Sequence, residues 1–131
     1  MKKLSYFFIS LLLLGCIEKN NCKNAICTEM FAMATIKINV PSNIPISEIS
    51  TQTISTSKVA TIHTQSGVIS SQNNIFTIVN DSDLSELGFN SNQEVELKIF
   101  RNGTFLKSAS FVISTDCCHV SKTEGPDEIN L

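Results

Sequence analysis

The sequence lacks tryptophan, and its single tyrosine, Tyr6, lies within the first 15 residues. Proteins that bind carbohydrate often stack sugars on these two side chains, so their scarcity argues against that class. Basic residues are not in excess, because 10 lysines and arginines stand against 12 aspartates and glutamates. Without a basic patch, we do not expect a nucleic-acid partner.

Familiar catalytic motifs are also missing. The chain has no Gly-x-Ser-x-Gly elbow, no His-Glu-x-x-His zinc motif and no phosphate-binding loop. His63 and His119 are isolated, and a lone histidine is more often structural than catalytic. A thiol nucleophile needs a base beside it, but Cys118 and His119, as neighbours in a strand, would point apart. We therefore predict a protein that is not an enzyme.

The amino terminus has the three zones of an export signal. Lysines occupy positions 2 and 3, and residues 4–14 are almost wholly apolar. This apolar stretch is too short for a comfortable transmembrane helix, which needs about 20 residues. Residues 13–16, Leu-Leu-Gly-Cys, resemble the lipobox of bacterial lipoproteins. An ordinary secretory signal, the alternative, would end in a small-x-small pattern instead.

We therefore predict cleavage before Cys16 and a lipid thioether on that cysteine. Stable anchoring requires two or more acyl chains, such as palmitate. Loss of both N-terminal lysines leaves 8 basic residues against 12 acidic ones, a net charge of −4. Position 17 is an isoleucine and not the aspartate that retains lipoproteins at the inner membrane, which favours the outer membrane. Which side of the outer membrane the protein faces stays open. The predicted segments are a signal (1–15), a tether (16–30), a β-domain (31–122) and a tail (123–131).

Most of the mature sequence favours strands. Residues 35–40 alternate between apolar and polar, as a half-buried strand does, and Pro41 ends that strand. Serine, threonine, isoleucine and valine dominate the middle of the chain, where the alternation is weak. We expect about seven short strands forming an antiparallel β-sandwich. Before the final hairpin, the predicted strands are 35–40, 50–55, 58–63, 66–70 and 75–79.

The clearest predicted hairpin is 94–114, with Asn102-Gly103 at its turn. Its first strand alternates with Val95, Leu97 and Ile99 facing inward, and its second strand carries the matching apolar residues at odd positions, namely Phe105, Ala109, Phe111 and Ile113. A two-residue turn would put the apolar residues of the two strands on opposite faces. A three-residue loop, 101–103, pairs Ile99 with Phe105 and brings the apolar sets together. Because a one-residue slip reverses every side chain, we predict the three-residue loop.

One helical turn is predicted near 83–87. Ser82 or Asp83 can cap its first amides, and Gly88 suits the positive-φ position after it. Asp81, Asp83 and Glu86 could suggest calcium, but the glycine and final glutamate of a calcium loop are missing. We therefore predict capping rather than metal binding for these acids.

Cys22, Cys27, Cys117 and Cys118 remain after lipidation, an even number in an oxidising compartment. We predict two disulfides that tie the tether to the last strand, with Cys117 facing inward. Nested (22–118, 27–117) and parallel (22–117, 27–118) pairings stay open, whereas a vicinal 117–118 bond would close a strained ring. Zinc is the rival, but adjacent cysteines suit a tetrahedral site poorly.

Several motifs occur together in this sequence: the lipobox, Cys27-Thr28 with Phe31, residues 81–87, Asp116-Cys117-Cys118-His119-Val120 and Gly125-Pro126-Asp127-Glu128-Ile129. In these motifs the chain resembles a family of uncharacterised lipoproteins common in bacteroidete-type bacteria. The likeness covers most of the mature chain, and the C-terminal motifs are its distinctive part. The resemblance implies a transthyretin-like or carboxypeptidase-regulatory-like (Ig-like) sandwich that acts as an accessory or binding module, with no activity attached.

The sequence thus predicts a lipid-anchored, disulfide-tied β-sandwich with a structural or ligand-binding role. Its expected partners are the membrane, through Cys16, and an envelope protein. No cofactor is expected. The alternative is a small envelope hydrolase or a metal-handling lipoprotein, which would need polar side chains converging in a cleft.

Overall fold

The computed structural model describes residues 22–67 and 74–131. The predicted export signal, Cys16 and residues 68–70 of one predicted strand lie outside these residues. The described residues form eight strands, two 3-10 turns and one turn of α-helix. The strands are β1 (Met33–Asn39), β2 (Ile49–Ser55), β3 (Ala60–Ser66), β4 (Ile75–Asn80), β5 (Ser91–Arg101), β6 (Thr104–Thr115), β7 (Val120–Glu124) and β8 (Glu128–Asn130); the 3-10 turns are Ile46–Glu48 and Asp81–Asp83, and α1 is Leu84–Leu87.

Two sheets enclose a single apolar core. The smaller has the strand order β4-β1-β8, and the larger has the order β3-β2-β5-β6-β7. The predicted all-β sandwich is confirmed, with eight strands in place of about seven. Two details differ from expectation. The segment predicted as a tail contains β8, and β8 runs parallel to β1, with Ile38 opposite Ile129.

Strict alternation places one face of each central strand in the core. Val95, Leu97 and Ile99 of β5 are fully buried, as predicted. They meet buried residues of the smaller sheet, including Ile36 and Phe76. The middle of the chain shows weak hydrophobic alternation for a different reason: the inward-facing positions of β2 after Ile49 are hydroxyl residues.

Those inward positions are Thr51, Thr53 and Ser55, each at most 2% exposed. Thr53 Oγ1 donates a hydrogen bond of 2.5 Å to the carbonyl oxygen of Ile78, so it joins the two sheets through the core. Thr51 Oγ1 is the one buried side-chain polar atom of the described residues that has no hydrogen-bond partner. An unpaired buried hydroxyl is unfavourable, so the two threonines have opposite effects on stability.

The β5–β6 hairpin corrects the predicted loop. Arg101 pairs with Thr104, so Asn102 and Gly103 form a two-residue turn, both with positive φ (+49° and +80°). The register then shifts, because Phe100 pairs with Phe105 whereas Ile99 pairs with Lys107. Leu106 is thus an extra bulged residue, which brings the apolar sets onto one face. Phe105, predicted to face inward, is exposed and meets Phe100 edge-on at 6.0 Å.

The helical turn near 83–87 is confirmed as α1, and its N-cap position, Asp83, makes no side-chain capping bond to the helix. The side-chain cap is Asn80, which stands at the N-cap position of the preceding 3-10 turn. The Asn80 side chain accepts from Ser82 N, and Asp83 Oδ2 accepts from Asn80 N at 2.8 Å, which completes a reciprocal capping box. Asp83 is therefore one half of the capping box, because its carboxylate accepts from the Asn80 N–H. The predicted cap Ser82 does not cap; its own N–H donates to the Asn80 side chain. Gly88 ends the turn at φ +89°, as its position predicts.

The Gly125 backbone packs so closely against the β5–β6 hairpin that there is no room for a side chain at this position. It follows β7 with a φ of +114°. A Cβ atom there would lie 2.4 Å from Phe111 Cδ1 and 2.9 Å from the Ser110 carbonyl oxygen. This glycine therefore lets the chain turn from β7 toward β8 directly over a core aromatic ring.

A hydrogen-bonded clamp at the tether end

Two disulfides fasten the incoming chain to the sandwich. Cys22 is bonded to Cys117 and Cys27 to Cys118, with Cα–Cα distances of 5.2 and 5.3 Å. The two bonds are confirmed, and the pairing is the parallel one. We call this end of the sandwich the tether end; it comprises residues 22–32, the β2–β3 turn, the β4–β5 connection and the β6–β7 turn.

The inward orientation predicted for Cys117 is wrong. Strand β6 ends at Thr115, and residues 116–119 form the turn to β7, so strand parity no longer applies. Both cysteines are half-buried in that turn. The tether is therefore tied to a turn between strands, and Cys118 and His119 are not neighbours in a strand.

Asp116 shapes that turn. Its Oδ1 accepts hydrogen bonds from the backbone N–H groups of Cys118 at 2.6 Å and of His119 at 2.7 Å. The Asp116 N–H donates in turn to the carbonyl oxygen of His119. The bond from Cys118, followed by that from His119, lowers the pKa of the Asp116 carboxyl because both stabilise its charged form. The result is a compact turn that holds both cysteines toward the tether.

Asp81 joins three segments of the tether end. Its Oδ2 accepts from Ala32 N and lies 2.8 Å from His119 Nδ1, while its Oδ1 accepts from Val120 N at 2.9 Å. Burial alone would raise the pKa of Asp81, but the bonds from Ala32, His119 and Val120 together lower it. One carboxylate thereby links the start of β1, the end of β4 and the start of β7.

His119 extends this network to the tether. Its Nδ1 faces Asp81, and its Nε2 lies 2.9 Å from Thr28 Oγ1. Hydroxyl, imidazole and carboxylate thus stand in the same sequence as in a hydrolase triad. The same contacts also have a structural effect, because they fix Thr28 one residue beyond the second disulfide.

A shallow cleft of about 300 Å³ lies beside this network. Its lining includes Ile26, Thr28, Asn90 and His119 together with the bonded cysteines. Asn90 Nδ2 lies 3.3 Å from the sulfur atoms of both Cys22 and Cys117. The cleft therefore presents the disulfides and the His119 ring to solvent.

The other candidate side chains lie elsewhere. His63 Nδ1 lies 3.1 Å from Asp83 Oδ2, so His63 pairs with a different carboxylate from the one that contacts His119. Asp81 and Asp83 thus have separate partners, and Glu86 is exposed. Within 22–67 and 74–131, no three His, Cys, Asp or Glu side chains are grouped to hold a metal ion. The four cysteines that the alternative zinc site would need form the two disulfides instead.

The Asp81–His119 pair was not predicted from the sequence. The two residues are 38 positions apart, and the topology alone brings them together. The one local pattern that bears on the site is Asp116-x-x-His119, since an aspartate often accepts from amides two and three residues ahead.

Comparison with known proteins adds no relative. No protein-family model matches the chain, and no curated protein or solved structure does so either. The resemblance to bacteroidete-type lipoproteins stays a prediction. No helix in the described part of the chain is long and apolar enough to cross a membrane.

Proposed function

We propose that this chain is a lipid-anchored lipoprotein of the outer membrane whose β-sandwich binds a ligand or a protein without catalysis. The lipobox at residues 13–16 supports the anchor. Disulfides support the compartment, because they persist in oxidising environments such as the envelope and are rare in the cytosol.

The observation that carries the proposal is the disulfide clamp. Cys22, six residues after Cys16, is bonded into the β6–β7 turn, and Cys27 follows it. The two bonds account for four of the five cysteines and leave Cys16 for the lipid. A tether joined to the fold at two points holds the domain close to its anchor, as a surface-bound binding module requires.

The end of the sandwich opposite the tether offers a binding surface. The β5–β6 hairpin forms this tip, and Phe105 and Leu106 are exposed there. The bulge at Leu106 turns both side chains outward. Apolar side chains at the point farthest from an anchor are accessible to a partner in the envelope, and aromatic residues are enriched at binding sites.

Metabolic labelling with an alkyne analogue of palmitate tests the anchor. We expect label on the full chain and recovery in the membrane fraction, whereas Cys16→Ser is unlabelled. The matched control removes the first disulfide (Cys22→Ser with Cys117→Ser) and keeps both label and membrane recovery. Label on Cys16→Ser, or membrane retention of that variant, would overturn the proposed anchor.

The binding role is tested by affinity capture from the organism's own envelope extract. We expect a defined component that the parent protein retains and that the double change Phe105→Ser with Leu106→Ser loses. Val59→Ser, at an exposed position in the tether end, is the control and keeps the component. Equal recovery by the parent and the hairpin variant would refute binding through this tip.

The Thr28–His119–Asp81 alignment supports one other candidate, a hydrolase of activated esters. In that role Thr28 Oγ1 would attack the ester carbonyl while His119 takes its proton, with Asp81 holding the ring; the ester's alkoxide or phenolate would leave, taking the proton from His119 where it needs one, and water would then hydrolyse the acyl-threonine with His119 again as base. Purified protein would then hydrolyse a p-nitrophenyl ester, Thr28→Val would lose the activity and Thr28→Ser would keep it. If the parent and Thr28→Val release p-nitrophenol equally, the alignment is a structural clamp.

A further inference from the structure

Exposed apolar side chains are distributed unevenly over the sandwich. Among the residues that the structure describes, eight large hydrophobic side chains are exposed, and two of them form the hairpin tip. The other six lie at the tether end and are defined here as the apolar rim. They are Ile26, Met30, Phe31, Met33, Val59 and Phe89.

Three separate loops bring the rim to one end. Residues 26–33 include the second bonded cysteine, Cys27, and lead into β1, which begins with Met33 opposite Asn80. Phe89 lies between α1 and β5, next to Asn90 of the cleft. Val59 lies in the β2–β3 turn, where the neighbouring Lys58 Nζ donates to the Glu86 carbonyl oxygen.

The rim side chains are largely open to solvent and do not pack against the core. Ile26 is 97% exposed, Val59 84% and Met30 78%. Val59 also has a φ of +52°, which a β-branched residue rarely adopts. Exposed large apolar residues concentrated at one end of a small domain indicate an interaction site with a protein or a membrane.

The tether indicates which of these partners is present. The inference rests on the proposed lipidation of Cys16. Five residues lie between Cys16 and Cys22, and the six residue steps from one cysteine to the other span at most about 22 Å when fully extended. Because Cys22 is bonded to Cys117, the β6–β7 turn at the tether end stays within this distance of the bilayer.

We propose that the apolar rim lies in the interfacial region of the bilayer that carries the anchor. Exposed charges at this end are mixed, with Lys23 and Lys58 near Glu29, Glu86 and Asp116. Attraction to anionic headgroups is therefore not the driving force, and apolar burial is. The sandwich then stands on the membrane with its hairpin tip directed away.

The absence of tryptophan gives a clean experiment. Phe31→Trp and Phe89→Trp introduce one reporter each into the rim, and Phe105→Trp is the matched control at the hairpin tip. Each lipidated full-length variant is placed in phosphatidylethanolamine–phosphatidylglycerol vesicles that contain lipid brominated near the top of its acyl chains. Flotation of the vesicles verifies that the protein is anchored.

We expect the bromolipid to reduce rim fluorescence about twofold, because an interfacial side chain enters the headgroup–acyl boundary. Phe105→Trp should be unaffected. All three positions are already exposed, so the fold should accept the indole, and far-UV circular dichroism checks this; Met30→Trp replaces any variant that does not fold.

Each other outcome is decisive. Anchored vesicles with unquenched, water-exposed rim reporters would refute the inference and leave the proposed anchor intact. Unquenched but blue-shifted reporters would mean that a second copy or another protein covers the rim, which also refutes it. Protein that fails to float with the vesicles would instead refute the proposed lipidation.

Discussion

Removing the two disulfides one at a time and together should give strongly non-additive losses of stability. With neither bond present, formation of Cys22–Cys117 closes a loop with a sequence separation of 95 residues. The chain-entropy model assigns such a loop about 4.7 kcal/mol of stabilisation at 25 °C. The second bond closes a far smaller ring, because the first already holds the two segments together.

That smaller ring contains residues 22–27 and 117–118, and the same model gives about 2.5 kcal/mol for its closure. Either bond can be the second one. Replacing Cys27 and Cys118 by serine should therefore cost about 2.5 kcal/mol, as should replacing Cys22 and Cys117. Replacing all four should cost about 7 kcal/mol, more than the sum of the two pairwise losses.

Urea denaturation of the three variants and the parent measures these losses. All four proteins carry Cys16→Ser, so that lipid does not contribute. If the four-serine variant is unfolded in buffer, an osmolyte such as trimethylamine N-oxide restores a measurable transition. Simple additivity of the two pairs, or a full loss from either pair alone, would refute the nested-loop reasoning.

Three further predictions follow from individual contacts. Thr53→Val should lower the free energy of unfolding by about 1–3 kcal/mol, because it leaves a core carbonyl unpaired, whereas Thr51→Val should be neutral or stabilising by about 1 kcal/mol in the same urea assay. Asp81→Asn should destabilise at neutral pH by about 1–3 kcal/mol. Because the folded-state pKa of Asp81 lies below the ordinary value of 3.8, its ionised carboxylate stabilises the fold above that value, and the stabilisation is lost as pH falls through the folded pKa. The free energies of unfolding of the parent and of Asp81→Asn should therefore converge in acid when they are measured as a function of pH. Gly125→Ala should destabilise by about 2 kcal/mol or more in a thermal melt, and Gly103→Ala, with positive φ but no contact, by about 1 kcal/mol.

Each of these predictions has a contrary result. Equal effects of the two threonine changes would mean that the hydrogen bond to Ile78 contributes nothing beyond the volume of the side chain. A constant difference between Asp81→Asn and its parent down to acid pH would show that the charge of the carboxylate is not what stabilises. A Gly125→Ala melt indistinguishable from that of Gly103→Ala would show that the backbone relaxes away from the Phe111 ring.

The parts of the fold that local patterns predict are those with clean periodicity. Alternation in β1 and β5 predicted both strands and their buried faces. The short helix was predicted from its boundary residues, although the side-chain cap lies earlier, at Asn80, where it caps the 3-10 turn that precedes the helix. In β2 the same reasoning was weak, because threonine faces the core there and hydropathy alone does not distinguish a buried threonine from an exposed one.

Long-range geometry explains what the sequence did not reveal. The bulge at Leu106 restores the register that the two-residue turn would otherwise misalign, so that the apolar residues of both strands face the core. Nothing in the local sequence of the turn indicates this bulge. Pairing of the cysteines depended on the β6–β7 turn that Asp116 shapes. Asp81 meets His119 because β4 ends beside the start of β7, a relation between strands that no local spacing contains.

The pairing of β1 with β8 sets an order of assembly. Residues 37–39 complete their hydrogen bonding with residues 128–130, and both disulfides join segments more than 90 residues apart. The small sheet is therefore completed only after residues 128–130 have been synthesised. For a chain exported as we propose, this order means that the small sheet and both disulfides are completed only after the late residues have reached the oxidising compartment.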